Sequence, residues 1–184
     1  MPSIYFKTLM NEVIDKSESD NWEDAVEEWK IIDCEEDEYC SEICICGKED
    51  LRYLYTIQNK INDNILFPIG SSCIKRFGRE DLRHETSIYE QMFKLLHAVK
   101  DHKFISFTSE LFSRKLLKYL YDEGAFNTKY NNYYGHDDYK FMLKMFNTKD
   151  KSSITIKQDK KIKAIIVNSI KPYLINRLNN KIRY

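Results

Sequence analysis

Cys44-Ile45-Cys46-Gly47, the alternating run Leu51-Arg52-Tyr53-Leu54-Tyr55-Thr56-Ile57-Gln58, and Pro68-Ile69-Gly70-Ser71-Ser72-Cys73-Ile74-Lys75-Arg76-Phe77 follow one another along the chain. The middle run has Leu51, Tyr53, Tyr55 and Ile57 at one parity and Arg52, Thr56 and Gln58 at the other, the period of a half-buried strand. Asn62-Asp63-Asn64 then turns the chain into Ile65-Leu66-Phe67, which predicts a hairpin. Cys73 follows a glycine-serine turn and opens a helical stretch. So small a β unit cannot bury enough apolar surface alone, and a metal bound by the flanking cysteines supplies folding free energy.

The five cysteines are Cys34, Cys40, Cys44, Cys46 and Cys73, and none follows in the rest of the 184-residue chain. An odd count suits a disulfide framework poorly, whereas clustered thiolates suit zinc in a closed four-ligand site. Cys44, Cys46 and Cys73 are three expected ligands. The fourth is Cys34 or Cys40; Cys34 is preferred because it ends the strand-like run Trp29 to Asp33, while Cys40 lies in an acidic loop. The expected zinc is structural, because abundant glutamates are not evidence for the open position and acid/base pair of a catalytic site.

Outward from this stretch, residues 3 to 15 fit a helix with Ile4, Leu9 and Ile14 toward one side, broken at Ser17 to Asn21. Beyond Gly78 the apolar period becomes 3.6. Ile88, Met92, Leu95, Leu96 and Val99 follow a capping-box pattern at Ser87 to Glu90. Further helices are expected over Ser109 to Asp122, around Phe141, Met142, Met145 and Phe146, and after Thr155 until Pro172 stops or restarts the last. His97 and His102 are five residues apart, which does not place two ligands on one helix face. The expected fold class is α+β, with a zinc-stapled α/β unit over residues 1–85 and an α-helical unit over residues 86–184.

Charge is neutral in total, 29 Lys/Arg against 29 Asp/Glu, but unevenly placed. Residues 1–50 carry 16 acidic and 4 basic side chains, a net −12; residues 51–90 carry 5 and 6; residues 91–184 carry 8 and 19, a net +11. Each end can therefore attract a partner of opposite sign. The run Glu35-Glu36-Asp37-Glu38 is either a solvated loop or part of a partner-binding face. At the basic end, Lys157, Lys160, Lys161 and Lys163 are candidates for phosphate contacts, although lysine outnumbers arginine 22 to 7 and bidentate base reading generally uses arginine. The loop Tyr130 to Tyr139 is aromatic and polar, suited to stacking on bases or on a protein. There is no phosphate-binding loop, dinucleotide glycine fingerprint or nucleophile–base constellation, so an enzyme is not expected. No stretch approaches the roughly 18 apolar residues of a membrane span.

Glu28-Trp29 through Cys34, Cys44-Ile45-Cys46-Gly47, Tyr53 to Asn59, and Pro68 to Phe77 together resemble a cysteine-containing module of small phage-encoded proteins. Within that group the chain is similar to type II-A anti-CRISPR metalloproteins, zinc-containing inhibitors of Cas9. The resemblance covers residues 22 to 85; the helical remainder, including Arg114-Lys115-Leu116-Leu117-Lys118-Tyr119-Leu120, matches less specifically. It implies inhibition by stoichiometric binding in the host bacterial cytoplasm. Cas9, or another basic nucleic-acid-binding host protein, would be the partner, with carboxylates such as Glu35, Glu36, Asp37 and Glu38 occupying a surface that DNA needs. The competing expectation is a zinc-containing phage accessory protein that binds nucleic acid directly through its C-terminal basic helices.

Overall fold

The computed structural model describes residues 2–101 and 105–184, so His102 lies outside the described residues. The fold is α+β, with a four-stranded sheet in the N-terminal half and helices in the C-terminal half. The chain separates into two compact units, one built from residues up to Tyr89 together with Asn180–Tyr184, the other from Glu90–Asn179.

In the first unit, α1 (Ile4–Asp15) is capped by Ser3, whose side chain accepts from the Phe6 amide. Its buried residues are Leu9 and Val13, one helical turn apart, while Ile4 is exposed; the apolar stripe is narrower than the sequence suggested. The short α2 (Trp22–Ala25) is capped by Asn21, and a 3₁₀ turn at Val26–Glu28 delivers the chain into β1 (Trp29–Asp37). β2 (Tyr53–Asn59) and β3 (Ile65–Ile69) form the expected hairpin, and Asp63 adopts the left-handed conformation that its turn requires. β1 pairs antiparallel with β2, with Trp29 opposite Asn59 and Cys34 opposite Tyr55, and the ladder is irregular between Ile31 and Asp33. Trp29, Leu54, Tyr55, Ile57, Ile69 and Ile74 are fully buried. Each buried polar tip is satisfied: Trp29 Nε1 donates to Ser17 Oγ at 2.9 Å and Tyr55 Oη to the Thr86 carbonyl at 3.1 Å.

The five-residue α3 (Ser71–Lys75) follows β3, and Gly78, at φ +72°, turns the chain into α4 (Glu80–Lys100). Ser87 is therefore inside α4 and does not cap it; Glu80 and Asp81 supply the negative charge that favours the helix start. The division between the units falls within α4, between Tyr89 and Glu90 rather than at residue 85.

The second unit continues with α5 (Arg114–Asp122), α6 (His136–Asn147) and α7 (Ile156–Ile165). α5 starts five residues later than expected because the Ser113 side chain caps it, accepting from the Leu116 amide at 3.0 Å. Gly135 occupies the N-cap position of α6, so Asp137 and Asp138 sit in its first turn. α7 has the Thr155–Gln158 capping box and continues through a π-helical segment at Ile166–Ile170 into α8 (Lys171–Leu178). Pro172 explains that interruption: it has no N–H to give the Asn168 carbonyl, and the wider π turn spreads the mismatch while the Lys171 amide reaches the Ile166 carbonyl. Leu116, Leu120, Phe126, Met142, Ile170 and Leu174 are fully buried and Met145 is buried, which makes the α6 methionines core, while Phe141 and Phe146 are half-buried.

After α8 the chain returns to the first unit. β4 (Ile182–Arg183) pairs parallel with β1, completing the sheet order β3-β2-β1-β4. Lys181 pairs with Asp33, and Arg183 with Glu35 and with Glu42, the latter at 2.9 Å. This strand has no signal in the sequence, since two residues are too few for a period.

Candidate metal centre and charged surfaces

Three cysteines meet at one end of the sheet. The turn carrying Cys44 and Cys46 is closed by the Cys44 amide on the Lys48 carbonyl at 2.9 Å and the Gly47 amide on the Cys44 carbonyl at 2.7 Å. Gly47, at φ +89°, supplies a conformation that L side chains rarely adopt. The Ile45 amide donates to the Pro68 carbonyl at 2.9 Å, tying this turn to the end of β3, from which Gly70 leads directly into α3 and Cys73. At Gly70 a Cβ would come within 2.9 Å of Leu51 Cδ2, the tip of a side chain that can shift.

The sulfurs of Cys44, Cys46 and Cys73 all lie within 4.8 Å of one another, with Cys44–Cys73 at 3.7 Å and Cys46–Cys73 at 3.4 Å. Sulfurs held about 2.3 Å from a tetrahedral ion lie about 3.8 Å apart, so the triad offers three corners of such a site and could hold a metal ion. The Cys44 thiol is drawn down to about 5 by its contact with Cys73, against the opposing effect of burial, with the Cys46 and Gly70 amides adding to the lowering. The Gly70 amide is 3.4 Å from its sulfur. The same contact pushes Cys73 up, and burial pushes Cys46 up. A bound cation would favour the deprotonated form of all three.

Cys34 is not part of this group. It is fully buried in β1, where its sulfur lies 3.7 Å from the Glu35 carbonyl, whereas the triad is built from the turn carrying Cys44 and Cys46 and from α3. Cys40, left-handed at φ +52°, has its sulfur 3.7 Å from the Asp37 carbonyl and is also outside the group. Beside the triad opens a cleft of about 170 Å³ whose walls include Cys44, Cys73, Lys48, Asp50, Arg52 and Ser71.

The acidic run folds inward. Glu36 is buried and accepts from Arg52 Nε at 2.8 Å, and Glu35 accepts from Arg183 Nε at 2.6 Å. Asp37 is buried too; burial pushes its pKa up, but hydrogen bonds from Ser41 and the Tyr39 amide outweigh this and hold it below the ordinary carboxylate value. Of the four, only Glu38 is exposed. Strand alternation and the returning C-terminus account for this: Glu35, Glu36 and Asp37 lie at the end of β1, between β2 and β4, and Glu38 is in the turn that follows. Exposed carboxylates of the first unit instead gather earlier, at Glu12, Asp15, Glu18, Asp20, Glu23, Asp24 and Glu27. Counted by unit, the first carries 20 Asp/Glu and 12 Lys/Arg, net −8, and the second 9 and 17, net +8.

In the second unit, Tyr130, Tyr133 and Tyr134 are 71%, 70% and 65% exposed. Asn132 and Tyr133 are both left-handed, at φ +53° and +60°, in a loop closed by Asn131 Nδ2 on the Phe126 carbonyl at 2.7 Å. Lys157 and Lys160 are exposed on α7, while Lys161 pairs with Asp138 at 3.3 Å and Lys163 with Asp159 at 2.6 Å. Among the described residues no helix is long and apolar enough to cross a membrane. Compared with known protein families, curated proteins and solved structures, the chain matches none of them.

Proposed function

We propose that this protein acts by stoichiometric binding and not by catalysis. Zinc held by Cys44, Cys46 and Cys73 staples the first unit, and the exposed carboxylates of residues 12–27 dock on a basic protein surface. The observation that carries this reading is the distribution of acidity: Glu35, Glu36 and Asp37 are engaged inside the first unit, whereas the carboxylates from Glu12 to Glu27 face solvent. In keeping with the resemblance to type II-A anti-CRISPR metalloproteins, the proposed partner is Cas9 in the host bacterial cytoplasm, whose nucleic-acid channels are positively charged.

The test is capture of guide-loaded Cas9 by the purified protein at low and high salt. Binding that weakens as salt rises, and that falls when Glu23, Asp24 and Glu27 are changed to lysine, supports the reading. Absence of capture removes Cas9 as partner; capture indifferent to those substitutions removes the acidic surface. A second reading, direct nucleic-acid binding by the second unit, is favoured by its net +8 charge and its three exposed tyrosines. It predicts salt-sensitive binding of a single-stranded oligonucleotide that is lost on changing Lys157 and Lys160 to glutamate and is unaffected by the acidic substitutions.

A further inference from the structure

We propose that a metal ion held by Cys44, Cys46 and Cys73 keeps its fourth coordination position open toward the adjoining cleft, where it accepts a small anion from outside the chain. This rests on the metal reading above and departs from the closed four-cysteine site that the sequence suggests.

Four observations carry it. The triad offers three corners of a tetrahedron, with two sulfur separations of 3.4 and 3.7 Å and all three sulfurs within 4.8 Å of one another. The two remaining cysteines are placed elsewhere, each with its sulfur directed at a backbone carbonyl, Glu35 for Cys34 and Asp37 for Cys40. The cleft of about 170 Å³ is walled by two of the three ligands, Cys44 and Cys73, so it adjoins the site and has room for a ligand of several atoms. Finally, the cleft is lined by two cationic residues, Lys48 and Arg52, against one carboxylate, Asp50, and by Ser71. A divalent ion with three thiolates is net negative and would repel an anion; Lys48 offsets part of that charge, since Arg52 is itself paired with Glu36. Arg52 is held in place by Glu36, from Nε and Nη2, both at 2.8 Å. Water would fill the position when no anion is present, as in other three-ligand zinc sites.

X-ray absorption spectroscopy on the zinc-loaded full-length protein should show three sulfur neighbours at about 2.3 Å and one lighter neighbour at about 2.0 Å. In the cobalt-substituted protein, azide should shift the visible absorption saturably, and Lys48→Glu should weaken azide binding roughly three- to ten-fold by reversing one nearby charge. Cys34→Ser, Cys40→Ser and Asp50→Asn should leave the azide-free cobalt spectrum unchanged. Four sulfur neighbours, indifference to azide, or a spectrum altered by any of those three substitutions overturns the open position. A protein that takes up no metal overturns the metal reading as well, whereas metal with four sulfurs overturns the open position alone.

Discussion

Asn59, the last residue of β2, donates from Nδ2 to the buried carboxylate of Glu28 at 2.5 Å. Glu28 also accepts the Glu18 amide at 2.9 Å and the Ser19 amide at 2.8 Å, so one side chain joins the loop after α1 to the sheet. Burial pushes this carboxyl up, but the hydrogen bonds outweigh it and hold the pKa near 2, against an ordinary value of 4.5. A folded value below the unfolded one gives stability that is present above pH 4.5 and is lost as pH falls through about 2. Glu28→Gln should therefore lower the urea midpoint at pH 7, and the gap between parent and variant should narrow steadily from pH 4.5 toward pH 2. A gap independent of pH would show that the charge on Glu28 contributes nothing.

Removing metal should destabilise the first unit. Elemental analysis of protein purified without added metal is expected to give one zinc per chain. Cys46→Ser or chelation should then lower metal content and melting temperature together, because the ligands' binding free energy is folding free energy. Full zinc content in Cys46→Ser would remove Cys46 from the ligand set.

Reversing charge at Glu36 should act on stability before it acts on any partner. Its carboxylate is buried and paired with Arg52, so Glu36→Lys places two cations together and is expected to cost about 3 kcal/mol, read from urea unfolding. Reversals at Glu23 and Asp24, both exposed, should change stability by less than about 0.5 kcal/mol. Equal effects at the two places would contradict the inward placement of the run.

Gly135 lies against Phe126 so closely that a Cβ would come within 2.5 Å of the Phe126 Cβ and 2.6 Å of its carbonyl carbon. Since backbone cannot yield as a flexible side chain does, Gly135→Ala should lower stability by about 1–3 kcal/mol. Thermal unfolding followed by helical circular dichroism measures this, and an unchanged midpoint would refute it.

Much of the sheet is legible because the run from Leu51 to Gln58 alternates except at the buried Leu54, and the Asn62-Asp63-Asn64 turn is unambiguous. The sulfur triad was legible from Cys44-Ile45-Cys46-Gly47 and the glycine-serine turn before Cys73. A strand's rigidity does not say what lies beside it: Cys34 is on β1 opposite Tyr55, with β2 between it and the end of β3 that leads to Cys73. The acidic run misled for a related reason: Glu36 and Asp37 find their partners in Arg52 and Ser41, and Glu35 in Arg183, 148 residues away, beyond the reach of local patterning. Carboxylates between Glu12 and Glu27 were visible as charge, yet only the fold distinguishes them from the buried ones. The start of α4 was missed because the pattern at Ser87 to Glu90 mimics a cap within a helix already under way.

The return of β4 to the edge of β1 has a kinetic consequence. Lys181 and Asp33 are separated by 148 residues, so the contact that closes this sheet edge forms across the whole second unit. Pairings of such high sequence separation are slow to form, because the loop-closure entropy is lost before the contact is gained. β1 should therefore spend the early part of folding with a bare edge, open to strand exchange with another copy of the chain.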